Sequence, residues 1–409
     1  MTFKNKGRLF WFGICLLLVP GLVHAYLLMP FPGSQDLNAI TVSYYLEKIV
    51  MPLRILGFIL VLWYFARFFN TDSKRQKLWK FAALVICAAV YYFTDVQYKA
   101  SKMFEEPHTV AFANALKNKV PQGYVVLGVE HDGVAKAYPL IYLGYHHKVQ
   151  DNVGNEPVLV TYCTMCRTGR VYSPMIDGKR EKFRLVGARH YNAVVEDEST
   201  GTWWYQATGK AAVGKLKGSS LKELGYEQTT LESWLKRHPN SLIMQPDNYF
   251  ATDYADLKNY DRRQPVDKDS LLKNKDSLIR KSWVVGVILD GKAKAYEWRQ
   301  LFKQNLLNDK LGNTDVLIGI EEDSVTYHAW NRTVDNKQLN FSLNASGDLT
   351  DMETSSTWDW SGLCTNGKLK GKQLAPIQSY QEYWHSWHHF HPESQLWHGK
   401  DITPKMAKL

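Results

Sequence analysis

The sequence predicts N-terminal transmembrane α-helices followed by a tandemly duplicated, β-rich domain of the mainly antiparallel, α+β class. Three observations lead to this fold class: apolar segments near the N-terminus, an internal repeat, and short β-rich runs separated by turn residues. With 409 residues, the chain is long enough for two domain cores in addition to a membrane region. We expect a membrane region of about three helices at 1–98, a first repeat copy at 99–245, a charged linker at 246–282 and a second copy at 283–409.

Two N-terminal segments approach the roughly 20 apolar residues that a helix needs to cross a bilayer. Residues 9–29 are uncharged, and residues 49–66 are apolar apart from Arg54. A third apolar run, residues 81–93, is shorter, and it spans the bilayer if Lys80 extends its ammonium group to the interface. We therefore expect the lipid membrane to be the first partner of this chain.

The positive charge of the chain is concentrated in the membrane region. Residues 1–80 carry ten Lys or Arg against three acidic residues, so this stretch holds +7 of the total net charge of +10. A nucleic-acid-binding protein instead clusters positive charge on its folded domain. The charge distribution therefore argues against a nucleic-acid partner and is typical of membrane topology control.

The positions of the basic residues predict the orientation in the membrane. One cluster precedes the first segment and another lies between the second and third segments, and both should be cytoplasmic. Three crossings then place everything after about residue 95 on the extracytoplasmic side, periplasmic or outer. A cleaved signal peptide ending at Ala25 is the alternative for the first segment, and it leaves the orientation of the other two unchanged.

An internal repeat covers most of the remaining chain. Residues 128–138 recur at 286–296 with eight of eleven positions identical, and Gly-Lys-Leu-Lys-Gly at 214–218 recurs at 367–371. Self-similarity over this length indicates two copies of one structural unit.

Within a copy the pattern predicts strands and a short helix. Asp132-Gly133 between two β-rich runs, 124–130 and 135–140, indicates a hairpin turn. A second strand pair is expected at 157–162 and 169–173. The aromatic segments 231–237 and 383–390, each followed by His-Pro, are expected to be short helices.

The strongest chemical signal is the pair Cys163 and Cys166 at the predicted tip of the second hairpin. The pair is compatible with a structural disulfide, with a thiolate metal site for zinc, and with thiol redox chemistry, and Met165 makes a soft copper-like site conceivable. Further metal ligands would have to come from four histidines, namely His131, His146, His147 and His190.

Two other groups of residues are candidates for binding. A histidine tract near the C-terminus, His385, His388 and His389, is a weaker metal candidate, because such a tract is compositional evidence only. The tryptophans could form a sugar-stacking surface, although core packing is the more usual role at repeated positions. They are Trp203, Trp204, Trp358 and Trp360.

The order of motifs resembles one bacterial family. The run from Pro157 to Cys163-Thr-Met-Cys166 is followed by a second set of polar and glycine positions, which are Asn192, Asp197, Thr200-Gly201, Trp204, Gln206 and Gly209. This arrangement resembles the domain-of-unknown-function 3179 family, whose cysteine motif usually reads Cys-Pro-x-Cys followed by a small residue, whereas Thr164 and Arg167 stand at these two positions here. The resemblance implies an exported or surface-tethered protein and brings no established reaction.

The residues lead to two hypotheses for function. The first is a membrane-anchored extracytoplasmic protein whose first copy presents a thiol or metal site at Cys163 and Cys166, lined by Met165, His190, Asn192, Asp197 and Gln206. The second is a non-catalytic scaffold or glycan-binding module, with a protein or glycan partner, that uses its tryptophans. In the repeat Cys163 corresponds to Glu321 and Cys166 to Ser324, so the first hypothesis assigns any chemistry to the first copy alone. Whether the protein is an enzyme stays open.

Overall fold

The computed structural model describes residues 3–261, 280–399 and 401–402. The chain divides into two compact units, and neither is a continuous segment. Unit 1 comprises Met1–Glu105 and Glu181–Ser220, and unit 2 comprises Glu106–Arg180 and Leu221–Leu409. The predicted four-region division stays a prediction, and the centre of the predicted linker, residues 262–279, lies outside the described residues.

Nine α-helices occur in the described residues: α1 Phe3–Leu28, α2 Ile40–Phe68, α3 Lys74–Tyr91, α4 Ala100–Met103, α5 Leu140–His146, α6 Leu231–Arg237, α7 Ala251–Asp256, α8 Trp298–Gln304 and α9 Trp384–Phe390.

The strands that precede residue 262 are β1 Phe112–Ala113, β2 Val125–His131, β3 Val134–Pro139, β4 Lys148–Val153, β5 Glu156–Cys163, β6 Thr168–Tyr172, β7 Met175–Ile176, β8 Lys179–Arg180, β9 Phe183–Arg189, β10 Asn192–Asp197, β11 Trp203–Tyr205, β12 Ala211–Val213, β13 Glu227–Thr230 and β14 Leu242–Met244. The later strands are β15 Trp283–Leu289, β16 Lys292–Glu297, β17 Leu306–Leu311, β18 Thr314–Ile320, β19 Tyr327–Asn331, β20 Thr333–Val334, β21 Lys337–Gln338, β22 Phe341–Leu343, β23 Leu349–Asp351, β24 Thr357–Trp358, β25 Cys364–Asn366, β26 Ala375–Pro376, β27 Ser379–Tyr383, β28 Gln395–Trp397 and β29 Asp401–Ile402.

Unit 1 begins with three helices that are long and apolar enough to cross a membrane. The candidate spans are Gly7–Leu28, Ile40–Thr71 and Lys74–Gln97. The short apolar run predicted at 81–93 is part of a 24-residue helical span, because a π-helical turn, Tyr92–Gln97, continues α3. The predicted N-terminal apolar helices are confirmed.

Helices α1 and α2 approach each other closely at two glycines. A Cβ atom on Gly13 would lie 2.9 Å from the Gly57 carbonyl oxygen, and one on Gly57 would lie 2.7 Å from the Gly13 carbonyl oxygen. Small residues at such a crossing let helix backbones pack directly, which is a common basis of helix association in membranes.

Arg54 is the one basic residue within the second predicted apolar segment, and it joins all three long helices. Its guanidinium forms an ion pair with Asp95 at 2.6 Å and donates a hydrogen bond to the Leu17 carbonyl oxygen at 3.3 Å. Gly21 leaves the space for this guanidinium, since a Cβ there would lie 1.9 Å from an Arg54 nitrogen. Pairing inside a helix bundle is the usual way in which a charged group is accommodated within a membrane-spanning helix.

Exposed aromatic residues lie at both ends of the bundle. Trp11, Trp63 and Trp79 are 46%, 47% and 60% exposed, and they lie where α1 begins, α2 ends and α3 begins. Tyrosines, among them Tyr26 and Tyr92, are exposed towards the opposite end. Aromatic belts of this kind are typical of the two membrane interfaces.

The antiparallel sheet β12-β11-β10-β9 completes unit 1 and packs on the loop between α1 and α2. Buried Arg189 donates hydrogen bonds to the carbonyl oxygens of Leu27 at 2.6 Å and Ser34 at 3.2 Å. Trp203 packs edge-on against Tyr44, with ring centroids 5.3 Å apart. This sheet therefore lies at the end of the bundle that carries the α1–α2 loop.

Unit 2 is built from mainly antiparallel sheets whose order recurs along the chain. The sheets β1-β14-β3-β2-β13 and β4-β5-β6 come from the first half, and the sheets β27-β15-β16-β28-β29 and β17-β18-β19-β26 come from the second. In the first half the β2–β3 hairpin pairs antiparallel with β13, which precedes α6, and parallel with β14, which follows it. In the second half the β15–β16 hairpin pairs in the same way with β27 and β28, on either side of α9. One hydrophobic core contains residues of both halves, including Val126, Trp234, Val284 and Trp387.

The predicted local elements of unit 2 are confirmed. The β2–β3 hairpin turns at Asp132 and Gly133, whose φ angles are both positive, and the segments predicted as helices form α6 and α9. In both halves a tryptophan covers a strand glycine: a Cβ on Gly128 would lie 2.4 Å from Trp234, and one on Gly286 would lie 2.0 Å from Trp387. These recurrences agree with the duplication, which itself stays an inference from the sequence.

We predict that Gly13→Leu lowers the unfolding free energy of the detergent-solubilised chain by about 1–3 kcal/mol, because the new side chain meets the α2 backbone. Thermal unfolding followed by circular dichroism would measure the change. Gly7→Leu is the matched control, since no atom lies within 4 Å of a Cβ at Gly7. Equal melting temperatures for Gly13→Leu and Gly7→Leu would show that the close crossing does not exist.

Candidate functional site

Cys163 ends β5 and Cys166 lies in the turn between β5 and β6, at the hairpin tip that the sequence predicts, and both are fully buried. The Cys166 thiol donates a long hydrogen bond to the Cys163 carbonyl oxygen at 3.7 Å. Burial, and then the hydrogen bond with the neighbouring Cys163 side chain, raise the pKa of Cys166 well above its usual value. Since thiolates are the reactive and metal-binding form of cysteine, the folded Cys166 is poorly suited to either role.

The carbonyl groups of this turn are hydrogen-bonded by residues from other parts of unit 2. The Cys166 carbonyl oxygen accepts a hydrogen bond from the Tyr383 backbone N–H at 2.9 Å. The Tyr260 hydroxyl donates to the Thr164 carbonyl oxygen at 2.8 Å, and His385 Nε2 lies 3.1 Å from the Met165 carbonyl oxygen. The turn is therefore held by residues far away in sequence.

Arg167 fills the space beside the cysteines. Its guanidinium is fully buried, donates to Gln381 Oε1 at 3.0 Å and to the Asp261 carbonyl oxygen at 2.6 Å, and stacks on the Trp283 ring at 3.4 Å. Arg167 has φ 56°, a left-handed backbone conformation that ends the turn.

The additional ligands that a metal site would need are engaged elsewhere. His146 Nε2 lies 2.6 Å from the Tyr254 hydroxyl, and His147 Nδ1 lies 3.1 Å from the Tyr145 carbonyl oxygen. His131 lies beside Asp132 in the exposed hairpin turn. Among the described residues, no group of three or more His, Cys, Asp or Glu side chains is arranged to hold a metal ion. The structure thus provides no support for a zinc or copper site.

The other residues predicted to line the cysteine site belong to unit 1, where they organise turns. The Asp197 carboxylate accepts from the Thr200 N–H at 2.7 Å and from Trp204 Nε1 at 2.9 Å. The Asn192 side-chain amide donates to the His190 carbonyl oxygen at 2.9 Å, and the Gln206 N–H donates to the Ala193 carbonyl oxygen at 3.0 Å. The site-lining role stays a prediction, and these contacts describe a structural one.

The histidines of α9 pack against different neighbours. His388 stacks on Trp384 with ring centroids 4.9 Å apart, and His389 packs edge-on against Phe390. Burial lowers the pKa of all three tract histidines, that of His385 to about 4. At neutral pH these side chains are uncharged packing residues.

Three of the four candidate tryptophans are core residues. Trp203, Trp204 and Trp358 are almost completely buried, and Trp358 Nε1 donates to Asp351 at 3.0 Å, as Trp204 does to Asp197. Trp360 differs, because it is partly exposed and lines a cavity.

The cavity beside Trp360, which we call the aromatic groove, has a volume of about 790 Å³ and lies within unit 2. One wall is a stack of rings: His328 lies almost parallel to Trp330 with centroids 4.9 Å apart, and Trp360 lies 6.0 Å from His328. The lining also includes polar side chains with planar ends, namely Glu130, Glu227, Gln228, Arg237, Gln373 and Gln378.

Arg237 is the charged centre of the aromatic groove. It donates to Glu227 at 2.6 Å and to Glu321 at 3.2 Å, and His328 Nε2 lies 2.7 Å from Glu321. Burial alone would raise the pKa of Glu227, but the attraction and the hydrogen bond of Arg237, together with the nearby His328 and His238, outweigh burial and lower that pKa. The Arg237 Nε–H is buried without a hydrogen-bond partner in the described part of the chain.

A second cavity of about 580 Å³ also has Arg237 and Trp360 in its wall. It lies beside the turn between β18 and β19, where Glu321, Glu322 and Asp323 project. Glu321 and Ser324 occupy the positions in the repeat that correspond to Cys163 and Cys166. The open cavity therefore lies at the β18–β19 turn, whereas the sequence predicts a site at the β5–β6 turn.

Comparison with known proteins identifies a family for most of unit 2 and part of unit 1. The family described as Protein of unknown function (DUF3179) matches residues 105–394. No curated protein and no solved structure matches the chain.

We predict that acid weakens the fold partly through His147. Burial lowers the pKa of His147 to about 4, below its unfolded value of about 6.5. The unfolded chain therefore takes up the proton first, and stability that is complete above pH 6.5 is lost as the pH falls towards 4. Urea unfolding at pH 7.5 and pH 4.5 should show that His147→Gln removes about 2 kcal/mol of the acid-dependent loss.

His131→Gln is the control for this pH experiment, because the His131 side chain is 42% exposed. If both variants keep the full pH dependence of the wild type, His147 does not contribute to it.

Proposed function

We propose that this chain, which belongs to the DUF3179 family of proteins of unknown function, is a membrane-anchored extracytoplasmic module. In this proposal the module binds a carbohydrate in the aromatic groove. The observation that supports it is the combination, in one open groove, of the ring stack at Trp360 with planar polar side chains. Ligand sites combine apolar or aromatic walls with a few placed polar groups in this way.

The aromatic and the polar residues that line the aromatic groove match the two kinds of surface on a sugar. The C–H face of a sugar ring is apolar and can lie against the exposed part of Trp360. Neighbouring hydroxyl groups donate and accept hydrogen bonds, which suits the side chain of Gln373 and the carboxylate of Glu130.

The charge balance of the aromatic groove favours a neutral ligand over an anionic one. Arg237 is paired with both Glu227 and Glu321, so its positive charge is already compensated. The adjoining cavity contains more carboxylates than basic groups. A phosphate or other anion would be repelled there, whereas a neutral glycan is not.

The extracytoplasmic placement draws support from unit 1. Its sheet packs on the loop between α1 and α2, and the basic residues near the N-terminus and between α2 and α3 favour a cytoplasmic location for the other end of the bundle. Residues 183–213 then share the outer side with that loop. After Gln97 no further candidate span occurs in the described residues, so unit 2 is assigned to the same side.

The cysteine pair is not the ligand site of this proposal. Both thiols are fully buried. Arg167 fills the space beside them, and the Tyr383 N–H donates a hydrogen bond to the Cys166 carbonyl oxygen. In the proposed module the pair serves the structure of unit 2.

We predict that Trp360→Ala weakens oligosaccharide binding about tenfold, because it removes the partly exposed ring from the groove wall. Calorimetric titration of the solubilised full chain with neutral hexose and N-acetylated amino-sugar tetrasaccharides would measure the affinity. Tyr249→Ala is the matched control, since Tyr249 is 71% exposed and does not line the groove. Absence of binding to every tetrasaccharide, or equal loss in both variants, would reject the proposed function.

We predict that a maleimide that cannot cross membranes labels Leu116→Cys in intact spheroplasts and does not label Lys74→Cys. Leu116 is 95% exposed, and Lys74 begins α3 at the end of the bundle assigned to the cytoplasm. After lysis both positions should react. The reverse labelling pattern would overturn the extracytoplasmic placement.

A further inference from the structure

Cys163 and Cys166 are close enough in this fold to react with each other. They occupy positions i and i+3 of one tight turn, their side chains are hydrogen-bonded, and Cys163 pairs with Thr168 across the hairpin. No disulfide joins the two sulfur atoms in this structure. Two cysteine side chains in hydrogen-bond contact can be joined by oxidation.

We propose that Cys163 and Cys166 are an oxidation site, at which the exported chain forms a disulfide before unit 2 is completed. The proposal uses the extracytoplasmic placement but does not depend on carbohydrate binding. An oxidising compartment is where such bonds form and persist.

The reaction is a thiol–disulfide exchange with an external protein disulfide. One cysteine thiolate attacks the disulfide of the oxidant, which gives a mixed disulfide and releases one thiol of the oxidant. The second cysteine then attacks the mixed disulfide and releases the other thiol. The two cysteines lose two protons and two electrons, and the oxidant disulfide is reduced to a dithiol.

The structure indicates when this reaction occurs. In the folded chain both cysteines are fully buried, so an oxidant protein cannot reach them. The turn is covered by Tyr260, Gln381 and Tyr383, and the last two residues follow it by roughly 200 positions in a chain that is exported and folded from its N-terminus. The disulfide therefore forms in the first half of unit 2 before the second half has been exported and folded.

The disulfide would stabilise the junction between the two halves of unit 2. The carbonyl oxygens of Thr164, Met165 and Cys166 bind residues of the linker and of the second half. A bond between the two side chains restricts this turn in the unfolded chain. For so short a loop, we expect the melting temperature to be about 5 °C higher in the oxidised than in the reduced chain.

The direct test is alkylation of the full-length protein purified from membranes. The protein is denatured with a metal chelator present, alkylated without reductant, and digested for peptide mass spectrometry. We expect the Cys163–Cys166 peptide to be unalkylated and two hydrogens lighter than the dithiol. Cys364, which is equally buried and donates to the Asn366 carbonyl oxygen, is the internal control and should be alkylated.

Alkylation of both Cys163 and Cys166 would overturn the inference, whether or not the purified protein carried a metal. If Leu116→Cys is labelled from outside in the same cells while the pair is a dithiol, the disulfide inference fails and the placement stands. Conversely, a disulfide in a chain that binds no oligosaccharide leaves the inference intact and rejects the proposed function.

A stability measurement gives a second, independent readout. A phosphine reductant should lower the melting temperature of the wild type and leave that of the Cys163→Ala/Cys166→Ala double variant unchanged. An equal shift in both proteins would contradict a role of the disulfide in holding the turn.

Discussion

The organisation of unit 2 depends on the way each half holds the hairpin turn of the other. The turn between β5 and β6 is bound by the N–H of Tyr383, immediately before α9. The corresponding turn between β18 and β19 is bound by residues immediately before and within α6: Thr230 donates its hydroxyl to Asp323 at 2.7 Å, and Ser233 donates to Glu321 at 2.8 Å. At the centre, Gln228 donates to Gln381 at 2.8 Å, and these two residues occupy corresponding positions in the repeat.

This reciprocal arrangement explains why the two turns can have different properties. At the first turn Arg167 is inserted between Trp283 and the Gln381 side chain, so the space is filled and the cysteines are buried. At the second turn the corresponding position is Val325, and the carboxylates of Glu321 and Asp323 reach towards α6 instead of filling the space beside it. A concave surface between α6 and Trp360 is the result.

The sequence predicts the local elements of this protein well and the site poorly. The hairpin at Asp132-Gly133 and the helices α6 and α9 depend on turn residues, periodicity and following prolines, which are visible within a few positions. The surroundings of the cysteines depend on contacts such as Arg167 to Asp261 and Arg167 to Gln381, separated by 94 and 214 residues. No local pattern reports such contacts. The aromatic groove is hard to predict for the same reason, because Arg237, His328 and Trp360 come from three distant segments. The sequence indicates Trp360 only as one of a set of tryptophans.

The most direct test of the central claim is an experimental structure of the full chain in the presence of the tetrasaccharide that binds best. We predict that the sugar lies against Trp360, within hydrogen-bond distance of the Gln373 side chain, and that the cysteine turn has the same surroundings with and without ligand. A sugar bound elsewhere on unit 2, or at the turn of Cys163 and Cys166, would contradict the account.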